Sequence, residues 1–163
     1  MSHFDIARST TVRADPGRVH ALVDDFHRWT AWSPWEDVDP GLLRTYAGPD
    51  AGVGAHYAWS GNRKAGAGRM EITDASAPHR IDIDLAFEKP FKARNDLRFV
   101  LTREGGGTLV TWTMHGKKTF ATKVMGLFTS MDSMVGKDFE KGLSRLKSVT
   151  EAMGGAPDPR LEG

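Results

Sequence analysis

At 163 residues the chain is the size of one domain, large enough for a core and for a cavity inside it. Its 22 basic and 21 acidic residues leave a net charge of +1, which gives no electrostatic basis for binding nucleic acid or an anionic membrane. The absence of cysteine excludes disulfides, thiol chemistry and zinc-thiolate sites.

The opening Met1-Ser2-His3-Phe4-Asp5 has no basic patch running into an apolar one, so no signal peptide is expected. No window approaches the ~20 apolar residues of a membrane span. The expectation is a cytoplasmic protein with no stable membrane insertion. His3 to Ala14 alternates, with Phe4, Ile6, Thr10 and Val12 on one side, and reads as a first strand. Asp15-Pro16 then starts a helix, Asp as N-cap and Pro in the first turn, running through Val19, Leu22 and Val23 to Asp25. Phe26 to Trp35 carries Trp29, Trp32 and Trp35 and reads as a short second helix ending in a turn at Ser33-Pro34.

A run of short strands follows Asp39-Pro40. Leu42 to Ala47 is closed by Gly48-Pro49-Asp50, and Val53 to Ser60 puts Val53, Ala55, Tyr57 and Trp59 on one face. Past the polar turn Gly61 to Gly66, the strand Gly68 to Asp74 turns Met70 and Ile72 inward. Ala77-Pro78 breaks it. Arg80 to Glu88 has the cleanest alternation, with Ile81, Ile83, Leu85 and Phe87 against Asp82, Asp84, Ala86 and Glu88. A strand through Leu97, Phe99 and Leu101 precedes the turn Glu104-Gly105-Gly106-Gly107, and Thr108 to Gly116 sets Val110, Trp112 and Met114 on one side.

Thr119 to Met153 is different in kind. Phe120, Val124, Leu127, Phe128, Met131, Val135, Phe139, Leu143, Leu146, Val149 and Met153 recur at steps of three and four, which makes one helical stripe. Gly126, Gly136 and Gly142 interrupt it, each at a cost of about 1 kcal/mol against alanine, so a kink or a close contact is expected at them. Consecutive hairpins imply an antiparallel sheet with one apolar face, and only this stripe is large enough to cover it. The fold class is therefore α+β: a curved seven-stranded antiparallel sheet wrapped around a long C-terminal helix, with two short helices between strands 1 and 2. Residues 1–153 form one domain, and 154–163 read as a disordered tail.

That order of elements, with Asp15-Pro16, Asp24-Asp25-Phe26 and Trp29-x-x-Trp32-Ser33-Pro34-Trp35, resembles the SRPBCC superfamily of START-like, helix-grip proteins. Gly52-Val53-Gly54-Ala55-x-Tyr57-x-Trp59 and Gly66-x-Gly68-x-Met70-x-Ile72 resemble its polyketide cyclase/dehydrase-like branch. The likeness runs from Ile6 to Leu146. It implies a deep cavity between sheet and long helix that holds a hydrophobic small molecule. The superfamily also holds lipid carriers, hormone receptors, aromatic cyclases, oxygenase domains and chaperone activators, so the resemblance specifies fold more narrowly than function. The iron-sulfur motif of its ring-hydroxylating branch needs cysteines, which this chain lacks.

The inward strand positions carry aromatic and methionine side chains, which adapt to a guest better than a jigsaw core does. Trp32, Trp35, Tyr57, Trp59, Met70, Ile83, Phe87, Phe99, Trp112 and Met114 are the expected ligand-binding residues, with Met125, Phe128, Met131 and Val135 from the helix. The indoles of Trp29, Trp32 and Trp35 would equally serve as a plug holding the two short helices to the sheet end. For catalysis Tyr57 is the leading candidate, its ring inward and its hydroxyl able to donate; Asn95, Glu36 and Asp37 are further polar candidates. Strand parity places His56 and His115 outside. His3, His20, His27 and His79 have no partner at metal-ligand spacing, so no metal is expected, and no cofactor motif is present.

Three readings follow. The first is a binding protein for a lipid-like or aromatic, polyketide-like small molecule, acting as monomer or homodimer without nucleic acid. The second is a polyketide cyclase or dehydratase with Tyr57 polarising a carbonyl. The third is a chaperone-activator-like interaction module, which would use the outer sheet face rather than the cavity.

Overall fold

A computed structural model describes residues 3–36, 39–63, 65–89, 92–117 and 127–154. The alternation expected after Arg80 becomes strand β5 (Arg80–Lys89), which buries Ile81, Ile83 and Leu85 and turns Asp82 and Asp84 outward. The same rule places β1 (His3–Val12), β2 (Leu43–Ala47), β3 (His56–Ser60), β4 (Ala67–Ser76), β6 (Ala93–Glu104) and β7 (Gly107–Lys117). All seven pair antiparallel in one sheet, in the order β1-β7-β6-β5-β4-β3-β2. The register between β4 and β5 shifts at Ala67/Gly68 and again at Ile72/Asp74. Such bulges add local twist and bend a sheet, which gives this one its concave side.

Helix α1 (Pro16–Val23) follows β1, with Pro16 in its first turn and Asp15 at the N-cap. The Asp15 carboxylate makes no capping bond; it pairs instead with Arg103, 3.0 Å away on β6. The second short helix, Phe26–Ala31, is a 3₁₀ helix, opened by Asp25, whose carboxylate accepts the His27 amide at 2.9 Å. The strand expected from Val53 begins three residues later, at His56. Gly52 and Gly54 take φ of +81° and +94°, a positive-φ backbone that ends the regular strand and leaves Val53 exposed, although the Gly54 amide still donates to the Ile72 carbonyl of β4 at 2.9 Å.

The long helix α2 (Leu127–Gly154) lies over β1 and against the two short helices, and its Phe139 reaches Trp112 of β7 on the concave face. Its stripe buries Phe139, Leu143 and Leu146 completely, each contributing roughly 1.5–3 kcal/mol of hydrophobic stabilisation. The expected start of this helix, from Thr119 to Gly126, lies outside the described residues, as does the expected tail beyond Gly154.

Candidate functional site

Register arranges the concave face in rows running across the strands, four of which bear on the site. The first joins Trp112, Phe99 and Ile81, and the second joins Met114, Leu97, Ile83 and Ile72. The third runs Gly116, Asn95, Leu85, Met70, Tyr57 and Tyr46, and the fourth Ala93, Phe87, Gly68, Trp59 and Arg44.

The first row is packed solid. Trp112 stacks on Phe139 of α2 with ring centroids 4.0 Å apart and planes 6° from parallel, while Phe99 stacks on it at 4.8 Å. Trp32 meets the same indole edge-on at 5.7 Å. The N–H groups explain why the tryptophans of the 3₁₀ segment sit here. The last carbonyls of a helix have no intrahelical partner. Trp29 donates to the carbonyl of Val23 at 2.8 Å and Trp32 to that of Leu22 at 2.9 Å, so two indoles finish α1 and fill the core together. Trp35 is half-buried and donates to Asp138 of α2 at 3.2 Å.

Of the far rows, the third is buried from Gly116 to Tyr57, whereas the fourth leaves Ala93, Phe87 and Trp59 partly exposed. Gly116, Ala93 and Gly68 put little or no side chain on the inner face. Trp59 lies over Gly68, where a β-carbon would come 2.6 Å from its ring, and donates its N–H to the Ala65 carbonyl at 2.9 Å. It meets Phe87 edge-on at 5.8 Å, and both rings stay partly exposed. Beside them Tyr57, Met70 and Leu85 form a buried apolar floor. Of the expected ligand-facing residues, then, Trp32, Phe99 and Trp112 stand in the aromatic stack and Ile83 and Met114 in the second row. Tyr57, Met70, Trp59 and Phe87 lie together in the third and fourth rows. Val135 is partly buried on α2. Met125 lies outside the described residues, as do the side chains of Phe128 and Met131.

A polar group borders this floor on the β2 side. Glu36 and Arg44 form a two-pronged ion pair, with contacts of 2.8 and 2.5 Å. Burial raises the Tyr57 hydroxyl well above the ordinary tyrosine range, and the Glu36 carboxylate and Tyr46 push it the same way. Tyr57 therefore stays protonated and keeps a proton that it can donate. Tyr46 is raised for the same first reason, burial, and its ring lies 5.4 Å from that of Tyr57. On its other side Tyr46 stacks on His27 at 4.0 Å, and His27 Nδ1 is 2.8 Å from Asp25. Tyr46 and Arg44 are not among the residues expected from sequence. Their place in β2 is the available signal, but only pairing with Tyr57 and Trp59 shows which face each one takes. Asp37 lies outside the described residues.

His56 and His115 are on the convex face, beside Glu71 at 3.1 Å and Asp5 at 2.5 Å. Among the described residues no three His, Asp or Glu side chains converge as a metal-binding group, and no helix is long and apolar enough to cross a membrane.

Residues 3–151 match the family model described as polyketide cyclase / dehydrase and lipid transport. No curated protein matches the chain. Among solved structures, the protein TTHA0849 from Thermus thermophilus is similar with a TM-score of 0.64 and 18% identity, over 92% of this chain and 99% of that one. The Aha1 dimer from Colwellia psychrerythraea gives 0.61 and 15%, over 95% and 99%. DynU16, from the dynemicin biosynthetic locus, gives 0.61 and 13% over 91% of this chain, which spans about half (48%) of that protein. At these identities the likeness is one of fold.

Proposed function

The chain belongs to the polyketide cyclase/dehydrase and lipid transport family, and from that premise we propose that it binds a hydrophobic, lipid-like or ring-containing small molecule on the third and fourth rows of its concave face. What carries this reading is the contrast along that face. One end is filled by the Trp112–Phe139 stack, whereas at the other the small Ala93 and two aromatic rings, Trp59 and Phe87, stay partly exposed. Aromatic faces beside a Met and Leu floor suit a flat apolar guest. Burying about 250 Å² of apolar ligand surface yields roughly 6 kcal/mol before association costs, enough for micromolar binding without an ionic contact.

The test is to purify the protein gently, record its native mass, and extract and identify small molecules by mass spectrometry. Recovery of an apolar molecule, lost in a Met70→Trp variant that fills the floor, is the expected result. A native mass equal to that of the bare chain, with no stabilisation by added apolar ligands, would remove the reading.

A second reading, a cyclase or dehydratase, is favoured by one observation: Tyr57 is held protonated at the edge of the floor, poised to donate to a carbonyl. Tyr57→Phe should then abolish turnover while leaving binding intact. The interaction-module reading has less to rest on. The convex face is a mixed, self-neutralising surface in which Arg69 pairs with Glu88, Arg98 with Asp82, Arg94 with Asp84 and Arg80 with Asp74.

A further inference from the structure

Asn95 is a polar side chain set among apolar neighbours on the concave face. It sits on β6 with the parity of Leu97, Phe99 and Leu101, only 7% exposed. Its neighbours across the ladders are Leu85 on one side and Gly116 on the other. Leu85 offers no hydrogen bond, and Gly116 has no side chain to offer one. Among the described residues nothing bonds the Asn95 amide. An amide with no protein partner on an otherwise apolar face is left to solvent or to a guest that can accept or donate a hydrogen bond. In the two rows nearer the aromatic stack, the same β6 position is Leu97 and then Phe99, so nothing in the sheet requires a polar residue there.

We propose that Asn95 is the specificity-determining residue of the site: its amide hydrogen-bonds a carbonyl oxygen carried by an otherwise apolar, ring-containing ligand. This rests on the binding reading above and narrows it. Leu85, Met70 and Tyr57 extend from Asn95 across the sheet as an apolar floor beneath the ligand's rings. Before the ligand enters, water satisfies the amide; the carbonyl takes that water's place. A pure hydrocarbon would displace the water and leave the amide unpaired, so Asn95 selects against it.

Two probes of nearly equal shape separate the possibilities: acetylnaphthalene, which carries a ketone, and ethylnaphthalene, which does not. A ketone gives up hydrogen bonds to water on entering an apolar site, so a preference for it requires a buried donor. By calorimetry the wild-type protein should bind acetylnaphthalene about tenfold more tightly than ethylnaphthalene. In Asn95→Leu the ratio should fall to about one or reverse, with ethylnaphthalene bound at least as well as before. Asn95→Ala gives the same comparison if the leucine variant does not fold. Equal wild-type affinities, or a preference that survives both substitutions, would overturn the assignment to Asn95 while leaving the pocket in place. Failure of both probes to bind wild-type protein would remove the pocket reading and this one with it.

Discussion

Gly142 of the long helix lies against Pro34 so closely that a β-carbon on it would come within 2.8 Å of the proline Cδ and 3.0 Å of Trp112 Cζ3. Both neighbours are set in the core, where little can yield. Gly142→Ala therefore gains about 1 kcal/mol of helix propensity and loses roughly 1–3 kcal/mol to overpacking, a net destabilisation. Gly136 makes the contrasting case. Its neighbour is the guanidinium of Arg8, the far end of a flexible side chain that also reaches Glu140. Gly136→Ala displaces only that group, so it should be neutral or stabilising by up to about 1 kcal/mol. Urea denaturation of the two variants checks this; equal shifts of the same sign would contradict it.

The two glycines show how far the sequence could be read. Their cost to a helical stripe was visible and pointed to a close contact; that one contacts a buried proline and the other a mobile arginine depends on residues over a hundred positions away. Strand order and the α+β class were legible because Ile81, Ile83 and Leu85 alternate and Phe139, Leu143 and Leu146 recur at helical spacing. The start of β3 was not, because Val53 fits the alternation while Gly52 and Gly54 take a backbone that breaks it. Parity alone gave every inward residue the same standing. Register and packing separate Phe99 and Trp112, which are stacked and closed, from Trp59 and Phe87, which are still open.

Asp24 sits where α1 meets the 3₁₀ segment, its backbone carbonyl holding the Gly52 amide at 3.0 Å. Burial raises its carboxyl above the ordinary range, partly opposed by His20 and reinforced by Asp25. A folded-state value above the unfolded one means that protonation favours the fold, and that this contribution is lost as pH rises through the raised value. Asp24→Asn should accordingly be more stable than wild type at neutral pH. The gain should vanish as pH falls below about 4, where both states of the wild-type carboxyl are protonated. Denaturant midpoints across that range test it; a gain that does not change with pH would point to another cause.

Tyr57 gives the opposite end of the pH scale. Its hydroxyl is raised first by burial and then by Glu36, so in alkali the unfolded chain ionises before the folded one does. The stability that its neutral phenol confers is intact below about pH 10, the ordinary tyrosine value, and declines above it. Tyr57→Phe should flatten the loss of stability between about pH 9 and 11. Tyr46, raised in the same sense, keeps some of the slope. An unchanged alkaline profile would show that the hydroxyl is more solvated than its position implies.

On the convex face Asp84 and Asp96 stand directly opposite one another in β5 and β6, and Glu71 is opposite Asp84 on its other side. Like charges facing across a ladder are destabilising by roughly 0.2–1 kcal/mol. Arg94 relieves Asp84 through an ion pair, so removing that carboxylate gives up an attraction along with the repulsion. Asp96 faces Asp84 on one side and His115 on the other. Asp96→Asn should therefore stabilise by a few tenths of a kcal/mol, and Asp84→Asn should come out near neutral. Because Asp96 is exposed, the gain from Asp96→Asn should shrink as the Debye length falls from about 10 Å in 0.1 M salt to about 3 Å in 1 M. Thermal melts of both variants at the two ionic strengths would decide it, and a gain that persists undiminished in high salt would rule out charge as its origin.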